Sequence, residues 1–399
     1  MKKPLSDKLK QITPSMTLSI TSKIKQLRAE GFDTISFGGG EPDFNVNEVI
    51  KRAAIEGIEK NYSKYTEVNG MLALRKAVCE RMFRERGLKY EPDEIIVSSG
   101  AKHSLFTALQ ALLSDGDEVI IPAPYWVSYS EMAKIAGGKI IVINTKKENN
   151  FILQPEELKQ VITPNSKAIM LNNPSNPTGV VYSREQLKAI ADICEKEGIY
   201  ILSDEIYDEF VYDGHQYISV ASLSDAIKDI TITINGLSKT YAMPGWRVGY
   251  AAANKNIIRA MSTIQGHCIS HTSSISQYAS ITALRTDQQF VSDMLEEYNR
   301  RRLYMKESFD KMSGISYVDP MGAFYFFVDV SSYYGKTFQG SEIKDSLSFC
   351  EVFLNNYYVA IIPGIGFGND HFVRFSYACN MNDIQCGLEK FEEYLSKIK

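Results

Sequence analysis

The 399-residue sequence has no run of about 18 consecutive apolar residues, so it predicts no membrane-spanning helix. Its first residues, MKKPLSDKLKQITPS, are basic but lack the apolar core of a secretory signal peptide. Its six cysteines are scattered, with neither a C-x-x-C pair nor the spacing of a disulfide framework. These absences favour a protein of the reducing cytoplasm, with free thiols, no membrane partner and no metal ion.

The sequence also lacks a surplus of positive charge. Its 44 basic and 48 acidic residues give a formal net charge of -4, which provides no cationic surface for nucleic acid or for an anionic membrane. We therefore expect a small molecule as the ligand. The chain is longer than one ordinary domain and its hydrophobic content of 44% is enough to bury a large core, so we expect two domains.

Residues 95 to 252 alternate short apolar runs with amphipathic stretches, a pattern typical of a parallel sheet with helices on both faces. One helix pattern, SREQLKAIADICEKEG, begins with a capping box of Ser183 and Gln186 and is followed by Gly198 as a left-handed cap. Seven strands are predicted in this region: EIIVSS, DEVIIP, KIIVIN, AIMLNN, YILSD, ITITIN and WRVGYAAA.

The pattern changes near residue 286. A long charged helix, QQFVSDMLEEYNRRRLYMKESFDKM, leads into the strand-rich runs GAFYFFVDV, VAIIPG and FVRFSYA. We predict an α/β fold, with a doubly wound, mainly parallel sheet in a large domain and a smaller α+β domain beside it. The predicted division is an N-terminal arm that joins the small domain, residues 1–45, a large ligand-binding domain, residues 46–290, and a small C-terminal domain, residues 291–399.

Four of the predicted strands end in polar or glycine residues. In an open α/β sheet the ligand lies outside the carboxyl ends of the strands, so these residues are expected to share one edge. Each group alone is more simply a surface loop, because loops are polar in any case. Together they predict a pocket with an acid, a lysine, amides and a helix start. The four groups are Gly100-Ala101-Lys102, Asn172 to Pro177, Asp204-Glu205 and Gly236 to Lys239.

Eight motifs spread over the chain resemble those of one enzyme family. They are GGGEPDF, KYTEVNG, SSGAKHSLF, PYWVSY, NNPSNPTG, SDEIYDEF, SKTYAMPGWRVGY and FVRFSYA. This set is similar to the fold-type I, class I aminotransferases, and closely to their aspartate aminotransferase branch; NNPSNPTG and SKxxxMPGWRxGY are the most specific. The resemblance implies pyridoxal 5'-phosphate as the cofactor. It also implies transfer of an amino group from an acidic amino acid to a 2-oxo acid.

The resemblance assigns five residues to the ring of the cofactor. Lys239 would form an imine with the cofactor aldehyde and move the substrate proton, although a lone lysine is ordinarily a solvated surface residue. Asp204 would keep the pyridine nitrogen protonated, since a buried carboxylate needs a cationic partner; the alternative is a helix N-cap. Tyr207 and Asn176 would bond the ring oxygen, and Trp126 would stack on the ring. Ordinary loop or core packing is the alternative for these three.

The phosphate needs a guanidinium group that can donate two N–H bonds, together with free main-chain amides. Gly100, Ala101 and Lys102 open a helix after a strand, so their N–H groups are expected to face the anion. The resemblance implies that Arg247 supplies this guanidinium group and that Ser238 adds a hydroxyl.

The resemblance also implies a homodimer with shared sites, because Tyr65 matches a tyrosine that reaches the phosphate of the neighbouring subunit. In some relatives a serine stands where this chain has Gly236, so the resemblance leaves one phosphate contact open. The bonds before Pro174 and Pro177 are expected to be cis, as in the family.

Arg374 lies between apolar residues in FVRFSYA and requires an acceptor, for which an internal salt bridge is the alternative explanation. The resemblance implies that Arg374 binds the substrate α-carboxylate, with help from the amide of Gly40 and from Trp126 and Asn176, under a closing small domain.

The distal carboxylate of an acidic substrate needs another cation. No arginine lies between Arg259 and Arg285, where better-known aspartate aminotransferases carry one for this purpose. The resemblance points instead to Lys102, with Ser15 beside it, and adds prephenate as a further acceptor. A lysine that faces solvent or the phosphate is the alternative.

Two other functions stay open at this stage. A carbon-sulfur lyase, or an aminotransferase for neutral or aromatic amino acids, would use the same cofactor on the same fold, because the cofactor does not decide which bond breaks. A non-enzymatic regulator would sense a ligand with this fold, but it requires a DNA-binding domain. The sequence starts almost directly with the catalytic motifs, so we expect an enzyme.

Overall fold

The computed structural model describes residues 5–14 and 16–399. The α-helices of this part of the chain are α1 (Met16–Ala29), α2 (Glu48–Glu59), α3 (Leu72–Arg86), α4 (Ala101–Leu112), α5 (Ser128–Ile135), α6 (Pro155–Val161), α7 (Arg184–Glu197), α8 (Asp225–Ile230), α9 (Lys255–Cys268), α10 (Ser274–Arg285), α11 (Gln289–Asp310), α12 (Ser346–Tyr357) and α13 (Met381–Lys397). None of these helices is long and apolar enough to cross a bilayer.

The strands are short and mostly buried. They are β1 (Ile35–Ser36), β2 (Ile95–Ser98), β3 (Glu118–Ala123), β4 (Lys139–Asn144), β5 (Ser166–Asn172), β6 (Tyr200–Asp204), β7 (Thr231–Gly236), β8 (Gly249–Ala252), β9 (Ser316–Tyr317), β10 (Tyr325–Asp329), β11 (Thr337–Phe338), β12 (Ser341–Glu342), β13 (Val359–Ala360), β14 (Ile362–Pro363) and β15 (Phe372–Ser376).

A seven-stranded sheet contains all seven strands predicted between residues 95 and 252, in the order β2-β8-β7-β6-β5-β3-β4. Only β8 runs opposite to the other six strands of this sheet, so the sheet is mainly parallel, as predicted. The eighth strand starts later than its sequence pattern suggests, because Trp246 ends a short 3-10 turn and Arg247 has a left-handed φ of 56°. The reversed direction of β8 brings its first residues to the edge where the parallel strands end.

The helix predicted between β5 and β6 is α7, and both of its predicted caps are confirmed. The Ser183 side chain accepts from the Gln186 N–H, while the Gln186 side chain accepts from the Ser183 N–H. Gly198 ends the helix with φ of 68°, a conformation that glycine adopts without steric cost. Caps at both ends fix the length of the helix, and therefore the point where β6 enters the sheet.

A second sheet, β14-β15-β10-β9, is antiparallel throughout and follows the long helix α11 along the chain. The parallel pair β1-β13 joins the N-terminal segment to this C-terminal region. The Ser376 N–H also donates to the carbonyl of Phe37 at 2.8 Å. Residues before α2 therefore reach the ends of the second sheet, close to the carboxyl edge of the first.

Candidate active site

The two sheets and helix α1 enclose a cavity of about 470 Å³, a size typical of small-molecule sites. The cavity is lined by eleven of the residues predicted from the sequence. They are Gly40, Ala101, Lys102, Trp126, Asn176, Asp204, Tyr207, Ser238, Lys239, Arg247 and Arg374. Of the remaining predicted residues, Gly100 borders the cavity through Arg247, Tyr65 lies elsewhere on the surface, and Ser15 lies outside the described residues.

Lys239 follows β7 at the carboxyl edge of the large sheet. Its Nζ donates to the carbonyl of Gly40 and faces the rings of Tyr207 and Phe324 at 5.9 and 5.7 Å. Burial lowers the pKa of this amine to about 8, against the opposing effect of the Glu41 carboxylate. A larger fraction of the amine is therefore neutral near pH 7 than for a lysine in water, so the amine is suited to take up a proton.

Asp204 is the last residue of β6 and is buried. Its Oδ1 accepts from the Ile206 N–H at 3.3 Å, and its Oδ2 accepts from the Tyr129 hydroxyl at 2.6 Å. Burial raises the pKa of Asp204 to about 6, while the hydrogen bond from Tyr129 opposes this rise. Asp204 makes no ion pair with any residue in the described part of the chain. A protonated ring nitrogen in the cavity would supply the missing cation.

Tyr129 was not predicted as a site residue. It lies in the motif PYWVSY, in which the resemblance assigned a role to Trp126 but none to Tyr129. It is buried in α5, and its ring also meets the Trp126 ring edge-on at 5.5 Å. One side chain therefore supports both the buried acid and the aromatic residue predicted to stack on the ligand.

The turn after β6 carries Tyr207, whose hydroxyl lies 2.8 Å from the hydroxyl of Tyr325 on β10. Both tyrosines are buried and both line the cavity. Tyr325 belongs to the run GAFYFFVDV, which predicted a strand of the second domain but no site residue. The pair connects the large sheet with the second sheet at the cavity wall.

The start of α4 forms a narrow cradle against β8. Ala101 and Lys102 open the helix, where main-chain N–H groups have no acceptor within the helix. Gly100 differs from the prediction, because its own N–H donates to the carbonyl of Ser98 at 2.8 Å and does not face a ligand. Gly100 is needed for space instead: at its φ of 84° an added Cβ would lie 2.4 Å from Nη2 of Arg247.

The same cradle explains two glycines of the neighbouring strands. A Cβ on Gly249 would lie 2.2 Å from the main-chain nitrogen of Ala101. A Cβ on Gly236 would lie 2.9 Å from the Cα of Gly249, so a serine does not fit here without moving β8. Arg247 donates to the carbonyls of Pro244 and Ser99, at 2.7 and 3.3 Å, and these bonds place its guanidinium beside the start of α4.

Arg374 is in the middle of β15 and is only 2% exposed. Its Nη1 donates to Oδ1 of Asn176 at 2.9 Å, and its Nη2 donates to the carbonyl of Gly38 at 3.0 Å. Its Nε is buried without a hydrogen-bond partner, and burial lowers the pKa of the guanidinium. The internal salt bridge considered for this residue is absent among the described residues, which leaves the cation available for an anionic ligand.

Lys102 is the second cation whose charge is not paired. Its Nζ lies 4.7 Å from the centre of the Trp126 ring and makes no hydrogen bond or ion pair within residues 5–14 and 16–399. Burial lowers its pKa, and the nearby positive charge of Arg247 lowers it further. The side chain therefore points a partly desolvated ammonium group into the cavity.

Three further predictions concern the surroundings of the cavity. The bonds before Pro174 and Pro177 are cis, as predicted, and the bond before Pro124 is a third one. Tyr65 is 92% exposed and meets the His271 ring edge-on at 5.7 Å. It therefore does not reach the cavity of its own chain.

Comparison with known proteins gives a consistent result. The sequence model of the family described as "Aminotransferase class I and II" matches residues 33–391. The aspartate aminotransferase of Bacillus sp. (strain YM-2) is 44% identical over 395 residues, 99% of this chain and 100% of that protein. The aspartate/prephenate aminotransferase of Cereibacter sphaeroides is 42% identical over 376 residues, 94% of each chain. The solved aspartate aminotransferase from Rhizobium meliloti has a TM-score of 0.96 at 38% identity, with 100% of both chains covered.

Proposed function

The chain belongs to the class I and II aminotransferases, enzymes that use pyridoxal phosphate, and from this premise we propose aspartate and glutamate as its amino donors. The proposed acceptors are oxaloacetate and 2-oxoglutarate, with prephenate in addition. One observation carries the proposal: besides Lys239 and Arg247, which we assign to the cofactor, the cavity holds two further cations, Arg374 and Lys102, with no carboxylate partner among the described residues. A dicarboxylic amino acid brings two carboxylates to them.

The residues of the cavity fit pyridoxal phosphate. Four cations, Lys102, Lys239, Arg247 and Arg374, line it against the two acids Glu41 and Asp204, an excess of positive charge that suits a phosphate and carboxylates. The glycine cradle leaves room for an anion at the first N–H groups of α4. When bound, the cofactor supplies a cationic ring that accepts the electrons left on the substrate α-carbon.

The residues around the ring bind, orient and move protons. Asp204 holds a proton on the ring nitrogen, and Tyr129 keeps its carboxylate oriented. Tyr207 would donate a hydrogen bond to the ring oxygen, the Asn176 amide would share that oxygen, and Trp126 would cover the ring face. The Oδ1 of Asn176 already accepts from Arg374, so its amide nitrogen is the donor that remains.

Lys239 would move the proton, because its amine lies in the cavity and could take a proton from the substrate α-carbon and return it to the neighbouring carbon. Its pKa of about 8 supports this role, because the neutral amine is accessible near pH 7. Borohydride should trap the cofactor on the peptide that contains Lys239. If Lys239→Ala exchanged amino groups at the wild-type rate, the assignment would be wrong.

The acidic preference is tested with Lys102→Met, which keeps the apolar stem but removes the charge. A charge-assisted hydrogen bond contributes about 1.5 to 3 kcal/mol, so kcat/KM for aspartate should fall about tenfold to a hundredfold, with neutral amino acids spared. Lys102→Arg, which keeps the charge, is the matched control and should lose less. Equal losses for aspartate and for a neutral donor would show that Lys102 serves the phosphate or the fold.

A carbon-sulfur lyase on the same scaffold is distinguished by its products. The protein with cofactor is mixed with each amino acid in turn, and the colour change of the half-reaction is followed with and without a 2-oxo acid. An aminotransferase regains its original absorption only when the 2-oxo acid is added. Release of ammonia and pyruvate without an acceptor would identify the lyase.

A homodimer with shared sites belongs to the same proposal. Its support is the exposure of Tyr65 together with apolar side chains on α2, Val49, Ile55 and Ile58, which are half or more exposed. If Tyr65 reaches the partner's phosphate, Tyr65→Ala should weaken cofactor binding. Mixing Tyr65→Ala with inactive Lys239→Ala should restore one intact site per hybrid dimer. Activity that does not rise on mixing would refute the shared site.

The remaining parts of the proposal concern architecture and compartment. We retain the division into residues 1–45, 46–290 and 291–399, with the small domain closing over the substrate. The six cysteines are free thiols, which supports a location in the reducing cytoplasm.

A further inference from the structure

We infer that Tyr325 is a positioning residue that serves the cofactor with its hydroxyl and the substrate carboxylate with its ring. The inference rests on the proposed function, because it assumes that Tyr207 donates to the ring oxygen and that Arg374 binds the α-carboxylate. Tyr325 lies on the second sheet and contacts both Tyr207 and Arg374.

The first observation is the pair of hydroxyls. The oxygens of Tyr207 and Tyr325 are 2.8 Å apart, and both side chains are buried. Each hydroxyl has one proton, so one proton lies between the oxygens and the other is free for a ligand. If Tyr207 gives its proton to the ring oxygen, Tyr325 must donate to Tyr207. This donation polarises the Tyr207 hydroxyl and makes it a stronger donor.

The second observation is the position of the Tyr325 ring. The guanidinium carbon of Arg374 lies 4.4 Å from its centre, within the range of a cation–π contact. The two residues are on adjacent strands, where Tyr325 pairs with Ser376 and Phe327 pairs with Arg374, so the backbone fixes their separation. The ring stabilises the cation without using any of its N–H groups, and Nε stays unbonded.

The two contacts predict separable effects. Tyr325→Phe removes the hydroxyl but keeps the ring, so Tyr207 becomes a weaker donor and the ionised ring oxygen loses stabilisation. The pH at which the absorption of the bound cofactor changes should therefore rise by about 0.5 unit, with KM for amino acids unchanged. Tyr325→Leu removes the ring as well, and it should in addition raise KM about three- to thirtyfold for acidic and neutral amino acids alike.

Two further variants test whether the Tyr325 hydroxyl acts through Tyr207. In the Tyr207→Phe background, Tyr325→Phe should cause no further shift of the cofactor titration, because the hydroxyl acts only through Tyr207. A shift of equal size in both backgrounds would overturn the inference. Tyr394→Phe is the matched control: it also removes a buried hydroxyl bond, to the Phe349 carbonyl at 3.2 Å, and should leave the titration unchanged.

The outcome also separates this inference from the proposed function. If the wild-type protein with cofactor does not exchange amino groups, the proposed function fails. If it exchanges them, but Tyr325→Phe with a native thermal unfolding curve titrates like the wild type, only the role of Tyr325 fails.

Discussion

Two groups of buried charges lie at the large sheet, and they differ in how their charges are balanced. In the first group, which we call the ion network, Arg81 and Arg86 contact the carboxylates of Glu85, Asp208 and Glu209. Arg81 also donates to the Tyr250 hydroxyl at 2.7 Å. The three carboxylates are close enough together to hold a metal ion, yet each of them already pairs with one or both of these arginines.

In the second group, the cavity, the buried guanidinium of Arg374 has only an amide oxygen and a carbonyl as acceptors. Arg81 and Arg374 are equally buried, at 2% exposure each. Burying a charge without its counter-ion is costly, so the fold supplies counter-ions where the arginine is structural. An arginine buried without them marks a place where an anionic ligand completes the balance.

The largest expected effect that separates the groups is on stability. Burial raises the pKa of Asp208, but Arg81 and Arg86 outweigh this effect and hold it below the usual value. Arg81→Met leaves Asp208 and Glu209 without their main partner, so the free energy of unfolding should fall by about 3 to 5 kcal/mol, measured by urea denaturation. The control Arg300→Met breaks an exposed pair and should cost about 1 kcal/mol or less. A similar small loss for Arg81→Met would contradict the assignment.

The second prediction concerns Arg374→Met, which should lower activity strongly and change stability little. Loss of a buried contact to the substrate carboxylate should raise the free energy of the transition state by about 2 to 5 kcal/mol. This lowers kcat/KM roughly thirtyfold to several thousandfold for all amino donors. The free energy of unfolding without cofactor should change by about 1 kcal/mol or less, because no buried carboxylate loses its partner. If Arg374→Met unfolds as easily as Arg81→Met, the contrast between the two arginines does not hold.

The third prediction concerns Glu205, a buried acid at the margin of the ion network that is bonded to hydroxyls and not to an arginine. Ser203 and Ser219 donate to its Oε1 at 2.8 and 2.9 Å. Burial raises its pKa from 4.5 to about 7, against the effect of these bonds. The folded state favours the protonated form of Glu205. The resulting stabilisation of the fold is fully present below pH 4.5 and is lost as the pH rises to about 7.

Glu205→Gln removes that pH dependence. The stability of the variant relative to the wild type should therefore increase by about 2 to 3 kcal/mol between pH 4.5 and 7, measured by urea denaturation at several pH values. The exposed Glu307→Gln is the control and should show no comparable trend. A constant difference between Glu205→Gln and wild type over this range would mean that folding does not raise the pKa of Glu205.

The smallest expected effect is that of Tyr129→Phe. At Asp204 in the cavity a hydroxyl partly offsets the rise in pKa that burial causes, whereas at Asp208 in the network the arginines outweigh burial. Removing the hydroxyl should raise the pKa of Asp204, and the acidic limb of the pH–rate profile should move upward by about half a unit to one unit. The rate at pH 8 should change about threefold or less. An acidic limb that does not move would show that Tyr129 only packs against Trp126.

The sequence predicts the large sheet well, because short apolar runs bounded by turns are local signals. It also brings Lys239, Asp204 and Arg374 together, through the strand ends and the family motifs. The domain boundaries and the roles of these residues stay predictions. The direction of β8 is not encoded in its apolar run, and the left-handed Arg247 has no local signature.

Tyr129 and Tyr325 could not be identified from the sequence for a related reason. Both lie in aromatic runs, where a phenol and a phenyl ring pack alike. Whether the hydroxyl meets a carboxylate or another hydroxyl depends on a tertiary contact that no local pattern contains. The N–H of Gly100 shows the same limit, because its bond to the Ser98 carbonyl depends on the exact turn between strand and helix.

The reversed strand β8 has a consequence for the order in which the protein is made. Ile95 pairs with Ala252, so β2 enters the large sheet only after β8 has been synthesised. The cradle between the start of α4 and Arg247 depends on this long-range pairing. Pairings between distant parts of a chain form slowly, since the loop between them must close first. If the cradle binds the cofactor phosphate as proposed, a nascent chain on the ribosome cannot complete this phosphate site before β8 has been synthesised.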